Sequence, residues 1–243
     1  MKEFISGKTN KVVAIFLIML LPRIITSLLL DYDYGLGAII GVALTIPFMI
    51  YTDKTAVEKI KRNCKKTKVT VVMLVILMIF SVQFLLFFIS AKVSELSPNP
   101  EWLTYANIIS PILIAPVAEE VLFRWALTET CINEQTTKFK KGLFLFLMLI
   151  IWNFLHTKSL TSINIDVLLL GLLFYIIYFN SGNLLYCIVA HISANLFFVI
   201  ASSPLQSYLI DFCKNNIVLV IDIIVLVLSS FWVLKKMTKL SDK

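Results

Sequence analysis

Charge is what this chain has least of. Asp, Glu, Lys and Arg make up 15% of its 243 residues, against 59% hydrophobic ones. A soluble domain carries about 25% charged residues, so a soluble globular fold is excluded. Glycine is scarce too, with seven residues. No Walker-type glycine loop is present, which argues against ATP-driven transport. No pair of similar halves with matched helix breaks marks a secondary transporter. The four cysteines, Cys64, Cys131, Cys187 and Cys213, are scattered without a C-x-x-C. They read as neither a disulfide framework nor a zinc-type cysteine cluster. There is no H-E-x-x-H helix and no G-x-S-x-G elbow, so the zincin and serine-hydrolase signatures are missing. Arginine occurs three times among 22 basic residues, and histidine only twice.

What is there is a series of apolar runs. Eight can be drawn: 12–30, 35–51, 69–91, 105–127, 142–155, 165–179, 184–201 and 217–234. Several reach the ~20 residues that cross ~30 Å of hydrocarbon. The fold class expected is all-α, a polytopic membrane bundle of about eight transmembrane helices. The first run, preceded by Lys8 and Lys11, has the flank of a signal peptide but no small-x-small cleavage site, so it reads as a first span. Lysines gather before run one, between runs two and three (Lys54 to Lys68), at 138–141, and in the tail from Lys235. The intervening loops, 94–104 and 202–216, are poor in them. This bias predicts cytoplasmic termini at both ends and an even number of spans. It also accounts for the net charge of +7 without nucleic acid as a partner. Loops are short and no repeat is evident, so residues 1–243 read as one membrane domain. The lysine, isoleucine and asparagine skew points to a low-GC bacterium and thus to a bacterial cell membrane.

Against this background a few polar residues stand out, because ionisable groups in hydrocarbon are costly and functional by default. The run 115–124 reads Ala-Pro-Val-Ala-Glu119-Glu120-Val-Leu-Phe-Arg124. Glu120 and Arg124, four apart, share a helix face and can pair. Glu119 points about 100° away, lacks that partner, and is a candidate general base for water. Pro116 can kink the helix one turn upstream. His156 follows directly on the run that holds Trp152. His191 and Asn195, one turn apart, could donate together to an oxyanion; an interhelical hydrogen bond is the plainer use of such a pair. Arg23 lies about 10 Å of helical rise from the outer end of run one, where it is expected to snorkel outward toward Asp31 or Asp33.

The succession Glu119-Glu120-x-x-x-Arg124, then Trp152-x-x-x-His156, then His191-x-x-x-Asn195 resembles the CAAX protease and bacteriocin-processing family, also called Abi. The stretch 105–201 would be its catalytic core. The resemblance implies a multi-helix intramembrane endopeptidase that hydrolyses an amide bond in a membrane-associated peptide or protein, in peptide maturation or bacteriocin self-immunity. It implies that Glu119 and His156 activate water, that His191 and Asn195 hold the oxyanion, and that Glu120 and Arg124 order the site. Two positions depart from the family pattern. Trp152 stands where phenylalanine is usual, and Trp125 where glycine is frequent. No cofactor and no metal is expected. Glu119, His156 and His191 could nevertheless serve as zinc ligands, and a non-proteolytic immunity or scaffold protein is the rival reading.

Overall fold

A computed structural model describes residues 7–30, 34–93, 108–133, 135–157, 163–203 and 205–241. Among these residues every regular element is a helix. Helices α1 (Lys8–Leu30) and α2 (Tyr34–Thr52) form a hairpin. A short α3 (Lys54–Lys65) leads to α4 (Val69–Val93). A composite helix, α5, runs over 110–131. Then come α6 (Lys138–Thr157), α7 (Ile165–Ser181), α8 (Leu184–Ala201), α9 (Gln206–Cys213) and α10 (Asn216–Ser241). In hydrocarbon every backbone N–H and C=O must find its partner within the protein, and a helix achieves that within one segment. Among the described residues six helices, α1, α2, α4, α6, α8 and α10, are long and apolar enough to cross a membrane; α7, with 17 residues, is shorter. The chain is a helical membrane protein.

Each of the eight apolar runs lies on a helix, apart from 105–107, which fall outside the described residues, as do Asp31 and Asp33. Two helices lie where the lysine pattern reads as loop. In α3 the Asp53 side chain caps the start by accepting from the Ala56 N–H at 3.1 Å, as a helix N-cap requires. Its Ala56 and Val57 are buried while its lysines face out. The second is α9.

Helix α5 is not a regular α-helix. Ser110–Ile114 and Val121–Leu127 are π turns, Ala115–Glu120 and Thr128–Cys131 are α, and the residues at each junction keep right-handed helical backbone angles. Pro116 offers one reason. It has no N–H, and its ring disfavours the regular ladder one turn upstream. The Ala115 N–H bonds the Ser110 carbonyl in the wider i→i+5 register. The Pro111 carbonyl would look to residue 116 in that register, and proline offers it nothing. In the second π turn the Phe123 carbonyl accepts from the hydroxyls of Thr128 at 2.8 Å and Tyr175 at 3.3 Å. Such π turns inside α-helices are frequent at functional sites.

Contacts at one end of the bundle gather the start of α1, the end of α2, α3, the end of α5 and the α7–α8 turn. Lys8 Nζ donates to the Cys131 carbonyl, Lys11 Nζ to that of Thr52, and Asn63 Nδ2 to that of Gly182. Lys59 pairs with Glu129 at 3.0 Å. Gly182 ends α7 with φ +58°, a left-handed cap that glycine adopts without strain. The core runs from this end inward along α5, α7 and α8.

Candidate active site

The site is built where α5, α6 and α8 meet. Glu119 and Glu120 sit at the junction of the central α segment and the second π turn, and they face different partners. Glu120 points inward and is fully buried, as is Arg124. Arg124 Nε stands 3.2 Å from Glu120 Oε2, an ion-pair distance with the N–H turned off the line to the oxygen. Arg124 Nη2 donates to the Gly171 carbonyl of α7 at 3.1 Å. Four aromatic rings surround the guanidinium: Trp152 at 4.3 Å, Tyr175 at 4.6 Å, Phe174 at 5.4 Å and Phe123 at 5.9 Å from centroid to Cζ. A planar, weakly hydrated cation stacks on such faces where an ammonium would not. The expected Glu120–Arg124 pairing is therefore present, and it sits in an aromatic box that the spacing alone does not reveal.

The second oxygen of Glu120, Oε1, receives Nδ1 of His191 at 2.9 Å. A carboxylate paired with an arginine accepts, so Nδ1 of His191 carries the proton. His156 is held in a parallel way. Its Nδ1 lies 2.8 Å from the Trp152 carbonyl, which only accepts. Both rings are thereby fixed with Nδ1 protonated and Nε2 free. Both Nε2 atoms approach one atom, Glu119 Oε2: His156 at 3.7 Å and His191 at 3.9 Å. That oxygen is buried and has no direct hydrogen bond. Consecutive glutamates thus address the two ring nitrogens of one histidine.

Three acceptors meeting at one point repel unless something with protons or positive charge stands between them. A water molecule or a metal ion meets that need. Ligand atoms around one zinc stand roughly 3.4 Å apart if each bond is ~2.05 Å and the geometry tetrahedral. Acceptors sharing one water stand roughly 4.6 Å apart if each hydrogen bond is ~2.8 Å. The 3.7 and 3.9 Å separations fall between the two, and the three atoms lie within 4.8 Å of one another.

The walls are aromatic. The Trp152 indole lies 4.5 Å from the His156 ring and 5.3 Å from that of His191. Phe174 stacks on His191 at 5.0 Å. Trp152 and Trp125 are almost fully buried, so both added indoles are part of the packed interior. Gly171 is a site residue that sequence reasoning missed. A Cβ there would stand 3.0 Å from Trp152 Cδ1 and 3.1 Å from Leu149 Cδ2. A lone glycine in an apolar helix is the signal that was available.

Arg23 departs from its expected place, and for Asn195 the interhelical hydrogen bond weighed as its plainer use is present. Asn195 Nδ2 donates to the Pro111 carbonyl at 2.7 Å. It fills the acceptor that the π register and Pro116 leave open, so one of its two N–H groups is spent holding α8 to α5. Arg23 does not reach outward. Its Nη2 lies 3.8 Å from Glu119 Oε1, with the side chain 24% exposed. Asp31 and Asp33 lie outside the described residues. The outward reading weighed the bilayer and the nearby Asp31 and Asp33, and a carboxylate 96 positions away supplies the inward alternative.

Residues 100–197 match the family model described as Type II CAAX prenyl endopeptidase Rce1-like. No curated protein and no solved structure matches the chain. The matched segment contains both glutamates, Arg124, both histidines and Asn195, which α5, α6 and α8 bring together. The match over residues 100–197 agrees with the resemblance to the CAAX protease and bacteriocin-processing family that the three motifs carry.

Proposed function

We propose that the chain is a metal-independent, glutamate-type intramembrane endopeptidase of a bacterial cell membrane. Its reaction is hydrolysis of an amide bond in a membrane-associated peptide or protein, in the setting of peptide maturation or bacteriocin self-immunity. One observation carries the reading: Glu119 Oε2 and the free Nε2 atoms of two histidines from separate helices converge, each tautomer set by a partner at Nδ1. In this reading Glu119 takes a proton from water and His156 Nε2 accepts the water's other hydrogen, which aims the oxygen at the scissile carbonyl. The proton then passes to the leaving amine. His191, once its Nε2 has taken up a second proton beside the Nδ1–H that Glu120 holds, donates to the oxyanion, and the remaining N–H of Asn195 is the second donor. Glu120 and Arg124 fix His191 and touch no substrate.

Glu119→Gln keeps size and hydrogen bonding but removes the base. The expected result, in membrane peptide profiles of cells carrying wild-type or variant chain, is accumulation of uncleaved peptides at unchanged chain abundance. General-base catalysis is worth ~10²–10⁴ in rate. Full biological function in Glu119→Gln would sink the peptidase reading and favour the immunity scaffold. A second reading rests on the 4.8 Å grouping of Glu119, His156 and His191, in which His191 has the carboxylate-backed geometry of a metal ligand. Metal analysis of the purified chain decides it. One tightly held zinc, whose removal and return switches cleavage off and on, would replace the water-activating role of Glu119 by metal ligation.

A further inference from the structure

We propose that Arg23 is a positioning residue of this site, supplied by the first helix from outside the matched segment; the role rests on the peptidase reading above. The carboxyl of Glu119 has two faces. Oε2 meets the imidazoles, and Oε1 meets the Arg23 guanidinium at 3.8 Å. A cation on Oε1 fixes the rotation of the carboxylate, so that Oε2 stays turned to both Nε2 atoms. It also compensates a carboxylate charge that hydrocarbon would otherwise oppose.

The backbone is shaped to put Arg23 there. A Cβ on Gly37 would lie 2.6 Å from Arg23 Cα and 2.8 Å from Arg23 N, and would collide with Thr26 Oγ1. A Cβ on Gly41, one turn on, would stand 3.1 Å from the Met19 carbonyl oxygen. The Gly37-x-x-x-Gly41 face of α2 therefore lets α1 approach at the very residue that carries the guanidinium, a small-residue contact common between membrane helices. Pro22, just before Arg23, lacks the N–H that would bond Ile18. The Thr26 hydroxyl bonds back to the carbonyls of Pro22 at 2.9 Å and Arg23 at 3.2 Å. The α1–α2 pair packs on α5 beside Glu119. Arg23, Gly37 and Gly41 all precede residue 100, where the family match begins.

The test uses the full chain in membranes and in detergent, with the uncleaved peptides that accumulate under Glu119→Gln as the activity readout. Arg23→Gln should lower processing by ~10²-fold, the scale of a small misplacement at a reacting centre. Arg23→Lys should recover part of it, because the charge returns without the fork. Gly37→Ala, which leaves the guanidinium intact but pushes α1 away, should also lower processing. Melting temperatures of Arg23→Gln, Glu119→Gln and the double variant read the pair with no turnover involved, and the double loss should be smaller than the sum of the singles. Wild-type processing in Arg23→Gln, or equal losses in the Gln and Lys variants with additive melting shifts, overturns the proposal. Normal processing in Glu119→Gln overturns the peptidase reading instead, and the melting cycle still reports whether Arg23 and Glu119 pair.

Discussion

Arg124 shows how much one side chain can organise. It is fully buried, paired with Glu120, bonded to the Gly171 carbonyl, and enclosed by Phe123, Trp152, Phe174 and Tyr175. No face of the guanidinium is left for substrate. Arg124→Ala should strand Glu120 as an unpaired buried carboxylate, and breaking such a pair costs roughly 3–5 kcal/mol. Melting in detergent should fall accordingly, Arg124→Lys should be intermediate, and the Arg124→Ala, Glu120→Ala double variant should regain part of the loss. Simple addition of the two losses would deny a direct pair. This pair was legible in the sequence because its partners are four residues apart, and local geometry follows from the helix alone. The convergence of His156 and His191 on Glu119 was legible only as motifs in order, since it depends on how α5, α6 and α8 cross. Arg23 was expected to reach outward, and the interhelical hydrogen bond weighed for Asn195 could be foreseen but not its partner, the Pro111 carbonyl. Both depend on long-range contacts that no local pattern encodes.

At the scale of elements, the same contrast separates spans from connections. Apolar runs gave α1, α2, α4, α6, α7, α8 and α10 with ends shifted by a few residues. Helix α6 begins four residues earlier than the run 142–155 and carries His156 inside its last turn. Helix α3 was read as a lysine loop because hydropathy averages over its two faces. Its N-cap Asp53 and its spacing of Ala56, Val57 and Ile60 were in plain view. The π turns of α5 carry no hydropathy signal, and Pro116 was the only clue. The contact of α7 with α6 hinges on Gly171. Gly171→Ala should need Trp152 and Leu149 to yield by a few tenths of an ångström, whereas Gly171→Leu should displace the indole from under Arg124. Overpacking of this kind costs typically 1–3 kcal/mol. The expected order of melting temperature is wild type, Ala, Leu. Identical melting for all three would mean that Trp152 has room the geometry denies it.

At the scale of the molecule, the lysine-rich end is held together by side chains from distant parts of the sequence. A cleft of about 740 Å³ opens there, lined among others by Asp53, Lys59, Glu129, Lys141 and Phe179. Lys236 near the end of α10 reaches Thr70 at the start of α4. These contacts bring the starts of α1, α4 and α6 to the same side as the ends of α2, α5 and α10, the side that the positive-inside rule predicts to face the cytoplasm. Reporter fusions after Lys65, Thr137 and Lys243 should read cytoplasmic, and one near Ser97 external. Opposite signals at Lys65 and Lys243 would break the even-span topology. The reach of Arg23 to Glu119 has a consequence for how the protein is made. Helix α1 leaves the ribosome with its guanidinium, and Glu119 follows 96 residues later. At ~5–20 residues per second that is an interval of roughly 5–20 s without a counter-charge. An arginine at mid-helix raises the cost of insertion by about 2.5–3.5 kcal/mol, so the nascent hairpin is where outward snorkelling belongs. Glu120 and Arg124, by contrast, emerge four residues apart and neutralise each other within one turn. From the order of synthesis the local Glu120–Arg124 pair is expected first, the Arg23–Glu119 contact when Glu119 arrives, and the contact of Glu120 with His191 only after α8 has been synthesised.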